Sequence, residues 1–102
     1  MRIEKTQRIN QLLDIYENML TDKQKEIMSM YYVYDLSLSE IAQETNVSRT
    51  AVFDLIKRTT NLLEKYECNI KMLAFKEKLQ EAISSFPQKE KEIILQLLQG
   101  EE

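Results

Sequence analysis

Between Ser48 and Arg58 the chain carries a set of side chains suited to meeting a polyanion. Arg49, Thr50, Phe53, Asp54, Lys57 and Arg58 recur at helical spacing, so a helix that starts after Ser48 presents all six on one side. Arg49 and Thr50 stand at its beginning, where a groove-reading helix touches base edges. Lys57 and Arg58 lie farther along, placed for phosphates. Together with Ser48 these are the candidate nucleic-acid-binding residues. The plainer alternative is a solvated face that only holds charges in water.

The elements needed to position such a face are written around it. Residues 36–59, LSLSEIAQETNVSRTAVFDLIKRT, read as a helix-turn-helix. Ser37 caps a first short helix, and Glu40 three residues on closes a capping box. Leu36 and Ile41 are spaced as a hydrophobic staple. Ala42 is small enough for two crossing helices to approach. Thr45-Asn46-Val47 form the turn, with Asn46 where glycine is common, because Asn tolerates the left-handed conformation. Ser48 caps the second helix, and Val47, Val52, Leu55 and Ile56 fall on its inward side.

The totals narrow the class. With 102 residues there is material for one domain and one core, here taken as a single helical domain over 1–102. One Gly and one Pro, both near the end, argue for an all-α protein, a bundle of about five to six helices. The absence of histidine removes histidine-based acid–base catalysis and the usual zinc sites. The lone Cys68 excludes an internal disulfide, has no histidine to activate it, and reads as a packed or half-exposed thiol. There is no glycine-rich phosphate loop. Acidic pairs such as Glu90 and Glu92 have lysines beside them and read as a solvated face. No catalytic residue, metal or cofactor is expected, and the chain is not expected to be an enzyme. With no apolar run of membrane-spanning length and no signal-peptide pattern, a cytoplasmic protein without membrane insertion is expected.

The net charge of −3 is unusual for a nucleic-acid binder, but its distribution is not uniform. Residues 45–66 hold Arg49, Lys57, Arg58 and Lys65 against Asp54 and Glu64, a balance of +2. Residues 21–44 hold two lysines against Asp22, Glu26, Asp35, Glu40 and Glu44, a balance of −3. The positive charge therefore gathers on the reading helix. So few cations predict weak binding by one copy, so either a homodimer or a protein partner must supplement them.

Along the rest of the chain, a first helix is predicted from Ile3 to about Met19, with Ile9, Leu12, Leu13, Tyr16 and Leu20 as its apolar stripe. Thr21 and Gln24 form a second capping box, opening a helix from Asp22 to about Tyr34 with Ile27, Met28, Tyr31 and Tyr34 inward. The cluster Tyr31-Tyr32-Val33-Tyr34 is expected in the core, with stacking of its tyrosines on bases as the sharper alternative. The reading helix runs on to about Glu67 through Leu62, Leu63 and Tyr66. A break is expected at Cys68-Asn69. A C-terminal helical extension over 68–100 follows. Met72, Phe75, Leu79, Ala82 and Ile83 form one stripe, Pro87 opens a last helix, and Ile93, Ile94, Leu97 and Leu98 are its apolar side. Gly100 is a natural stop. That much apolar surface predicts packing in cis or across a dimer.

These residues resemble two families. Leu20-Thr21 with Gln24, Tyr31-Tyr32, Leu36-Ser37, Glu40-Ile41-Ala42, Val47-Ser48, Val52 and Arg58 follow the order of the promoter-reading C-terminal module of bacterial sigma factors, over about half of the chain. A closer similarity is to the YlxM-like family of small helix-turn-helix proteins. It rests on Glu4-Lys5-Thr6 with Arg8-Ile9-Asn10, Lys23-Gln24, Asp35-Leu36-Ser37-Leu38, Asn46-Val47-Ser48-Arg49, Ala51-Val52, Asp54, Ile56-Lys57-Arg58-Thr59 and Leu62-Leu63-Glu64. Phe53 departs from the tyrosine more usual in that family. The resemblance weakens after Tyr66. It implies a fold of the winged-helix-like DNA-binding superfamily. It also implies a regulatory part in the signal recognition particle pathway, with the particle's RNA or its GTPase as partner. The wider similarity implies instead a DNA-binding transcriptional regulator. Nothing in spacing or composition points to protein targeting.

Overall fold

Helix caps set the boundaries of the fold. The computed structural model describes residues 3–98 as six α-helices and one 3-10 turn, with no strand among the described residues. They are α1 (Ile3–Tyr16), α2 (Asp22–Tyr32), α3 (Leu38–Thr45), α4 (Arg49–Ile70), α5 (Met72–Ala82) and α6 (Gln88–Leu98), with the 3-10 turn at Glu17–Met19. Both capping boxes form. The Gln24 backbone N–H donates to Thr21 Oγ1 while the Gln24 side chain accepts from Thr21 N–H. Glu40 and Ser37 do the same at the start of α3. Ser48 caps α4 by accepting from Ala51 N–H at 3.1 Å. Asn46 lies in the left-handed region (φ 59°, ψ 36°) and carries the turn between α3 and α4.

The described chain falls into two units, divided between Ile70 and Lys71. In the first, α4 is the spine against which α1, α2 and α3 pack. Ile9, Leu12, Ile27, Met28, Ile41, Val52 and Leu63 are fully buried there, drawn from all four helices. Burial of this kind is the main stabilising term, each large aliphatic side chain contributing on the order of 2 kcal/mol. Two polar side chains are buried as well, Thr59 and Glu67, which the apolar stripe alone did not foretell. Tyr16 Oη donates to Glu67 Oε1 at 2.7 Å, tying α1 to the far part of α4, and the Tyr16 ring lies 6.0 Å from that of Tyr66. A buried carboxylate that loses such a donor is left under-satisfied, so Tyr16→Phe is expected to cost about 1.5–3 kcal/mol in urea unfolding. A change below about 0.5 kcal/mol would mean that other donors satisfy Glu67 fully.

Several sequence expectations are corrected. α1 ends at Tyr16, and the residues to Met19 tighten into the 3-10 turn. α2 ends at Tyr32. Tyr34 N–H donates to Ser29 O, Leu36 N–H to Met30 O, and Asp35 takes a left-handed conformation (φ 57°). The chain leaves the helix there, so Val33 and Tyr34 face water, Tyr34 at 71% exposure, and Tyr32 takes the core place expected of Tyr34. Tyr31 is half-buried and meets Tyr32 edge to face at 5.0 Å. α4 continues past Glu67 to Ile70, because Cys68 and Asn69 both stay helical. The break falls at Lys71, which is left-handed at φ 59°. Cys68 is exposed, where a packed or half-exposed thiol was expected. On α4, Leu55, Leu62 and Tyr66 are half-buried while Leu63 is fully buried.

The second unit holds α5 and α6. Leu73 and Ile83 are its buried residues, whereas Met72 and Phe75 of the expected stripe are exposed, and so is Ala82. Pro87 stands just before α6 and its carbonyl accepts from Lys91 N–H, the first bond of that helix. α6 buries none of its residues: Ile94 and Leu98 are half-buried, and Ile93 and Leu97 are exposed, Leu97 at 69%. The stop expected at Gly100 lies outside the described residues.

Candidate nucleic-acid interface

The first turns of α4 separate an inner side from an outer one. Val52 and Ile56 are buried against the rest of the first unit, and this fixes the rotation of the helix about its axis. Arg49, Thr50, Phe53, Asp54, Lys57 and Arg58 are all exposed, as is the capping Ser48. The structure thus brings every expected site residue to one accessible side of the helix-turn-helix.

Within that side the charges are not equivalent. Arg58 Nη2 lies 2.9 Å from Asp54 Oδ2, an i,i+4 ion pair on one flank, beside Ala51, Leu55 and Gln24 of α2. Arg49 and Lys57 have no ion pair among the described residues. The exposed Phe53 ring and Lys57 occupy the opposite flank. The cationic character is therefore concentrated on Arg49 and Lys57, with Arg58 partly neutralised. The sequence expectation grouped Lys57 with Arg58 as phosphate contacts; the i,i+4 spacing of Asp54 and Arg58 was the available signal that they differ.

Two carboxylates of the first unit are held below their ordinary pKa of 4.5. Glu40 accepts first from the Ser37 backbone N–H, and the Ser37 side chain adds to the effect. Glu64 accepts two hydrogen bonds from the Arg8 guanidinium, at 2.8 and 2.7 Å, which outweigh its partial burial. Both groups bind protons less readily folded than unfolded, so their stabilisation is complete above the ordinary carboxylate range and is lost as pH falls through the lowered values. Urea midpoints should accordingly be flat near neutrality and drop on the acid side. Glu64→Gln should remove part of that acid-side slope, by less than about 1 kcal/mol because the Arg8–Glu64 pair is largely solvated. An unchanged slope in Glu64→Gln would exclude the pair as its source.

Among the described residues no group of three or more Cys, Asp or Glu side chains could hold a metal ion, and no helix is long and apolar enough to cross a membrane.

Comparison with known proteins gives the family of the chain. The sequence profile of a family described as "Putative helix-turn-helix protein, YlxM / p13 like" matches residues 3–99. The chain belongs to the YlxM-like helix-turn-helix family. It is similar to the UPF0122 protein YlxM of Bacillus subtilis, 55% identical over 73 residues, which are 72% of this chain and 66% of that protein. A UPF0122 protein of Bacillus velezensis is 49% identical over 100 residues, covering 89% of each chain. One from Pediococcus pentosaceus is 57% identical over 74 residues, 72% of this chain and 66% of the relative. The all-α helix-turn-helix expected from the residues is thus the fold of the chain, in agreement with the description of its family.

Proposed function

We propose that this YlxM-family chain is a non-enzymatic regulatory protein that binds nucleic acid through the first turns of α4. The observation that carries the reading is the exposed side of Ser48, Arg49, Thr50, Phe53, Asp54, Lys57 and Arg58 behind a buried Val52–Ile56 inner side. The helix N-terminus adds backbone N–H groups favourable to an anion. The setting we propose is the cytoplasmic signal recognition particle pathway, with the particle's RNA, its GTPase, or both as partners. Family resemblance alone supports that setting. The weak net cationic character of the face supports a target already held by a protein.

Recovery of nucleic acids with the tagged chain from cells tests it. Enrichment of the particle's RNA supports the targeting role, and neither that RNA nor the GTPase in the recovered material would sink it. A second reading, a DNA-binding transcriptional regulator, is favoured by the left-handed turn at Asn46 and the groove-ready start of α4. Crosslinked genomic DNA gathered at discrete sites would select it.

We also propose that the chain works as a homodimer. Ile93 and Leu97 on α6 are exposed, and α6 buries no residue of its own. Light scattering should give twice the 12.1 kDa chain mass. A strict monomer at high concentration would exclude the pairing.

A further inference from the structure

Beside the reading face, within the first unit, lies a cleft of about 350 Å³. Its floor is the buried Tyr32 and Ile56, and aromatic rings border it at the half-buried Tyr31 and the exposed Phe53. Lys5 of α1 and Lys57 of α4, both exposed, lie on its rim, and no carboxylate lines it. The neighbouring cleft that shares Tyr31 and Tyr32 is lined by Asp35 and Glu40 and would repel an anion.

We infer that this cleft takes an unpaired nucleotide of the strand bound on α4. The inference rests on the nucleic-acid reading above and specifies its ligand. Two aromatic rings offer a flat base a place to stack, and base–aromatic stacking is indifferent to sequence. Two lysines and no acid suit the phosphates on either side of that base. The volume is that of a small-molecule site and admits one nucleotide. Phe53 and Lys57 belong both to the cleft and to the outer side of α4, so a strand lying along α4 passes its mouth. A base inside an intact duplex hides both ring faces and cannot enter. The ligand is therefore a loop, a bulge or a single strand.

Fluorescence anisotropy with the full chain tests this, using a labelled RNA hairpin with an adenosine loop beside a blunt duplex of the same stem. The hairpin is expected to bind more tightly. Phe53→Ala should reduce the hairpin-to-duplex affinity ratio by about tenfold, Lys5→Ala should reduce it less, and Phe53→Tyr, which keeps a ring, should preserve it. Equal affinity for the two probes, or a ratio untouched by Phe53→Ala, would overturn the cleft's role while leaving nucleic-acid binding intact. Binding of neither probe, nor of the corresponding single-stranded and duplex DNA, would instead overturn the reading of α4 itself. Competition by adenosine monophosphate as strong as by unlabelled hairpin would assign the cleft to free nucleotides and overturn the strand.

Discussion

Reversing Arg49 and Lys57 together, as Arg49→Glu with Lys57→Glu, is expected to weaken nucleic-acid binding by on the order of a hundredfold at moderate salt and to flatten its salt dependence by about two phosphate contacts. Arg58→Ala should do much less, because Arg58 already sits 2.9 Å from Asp54 and brings less uncompensated charge to the phosphates. By the same logic Asp54→Asn should raise affinity severalfold, by releasing Arg58 and removing a repelling carboxylate. All four residues are exposed, so circular dichroism should show unchanged helix content in each variant. Binding measured across a salt series ranks the four positions. Equal losses in Arg58→Ala and Lys57→Ala would mean that the Asp54–Arg58 pair opens on binding and that the ranking drawn from the free protein is wrong.

Leu63→Ala should produce the largest loss of stability, about 2–5 kcal/mol by urea denaturation. Leu63 is wholly buried on α4, the helix against which α1, α2 and α3 pack, so its truncation leaves a cavity in the core of the first unit. A small domain has roughly 5–15 kcal/mol in all, so this variant approaches the limit of folding. Leu97→Ala is the matched comparison. Leu97 is the same residue type on an exposed part of α6, so its removal should leave unfolding of the single chain nearly unchanged. If the proposed homodimer forms through α6, the variant should shift the mass in solution instead. A Leu63→Ala loss under about 1 kcal/mol would mean that the core relaxes around the gap.

Much of the first unit was legible because local chemistry and global packing agree there. Thr21, Ser37 and Ser48 are good caps with nothing competing, and all three cap. Asn46 was readable as the turn because few other residues accept its backbone angles. The six outward residues of α4 followed from the period of Val52 and Ile56 alone. Tyr34 was misplaced for a reason that spacing cannot reveal. Its position matches the inward stripe, but the helix ends at Tyr32 and the Tyr34 N–H bonds five residues back to Ser29 O, so the helical register is lost before it. The break at Lys71 was two residues late because lysine carries no signal for a positive φ. Glu67 and Thr59 were missed as buried residues, since polarity argues for water until a partner such as Tyr16 Oη is known. The cleft beside α4 was invisible in sequence order. Lys5, Tyr31 and Phe53 come from three helices, and only packing unites them.

The unbroken course of α4 has a mechanical consequence. Its 22 residues form one helix about 33 Å long, with the exposed Ser48–Arg58 side at one end and the carboxylate held by Tyr16 near the other. A tilt of about five degrees pivoted at one end of a helix of that length moves the opposite end by about 3 Å. A ligand at Arg49 that tilted α4 would therefore be felt at Ile70.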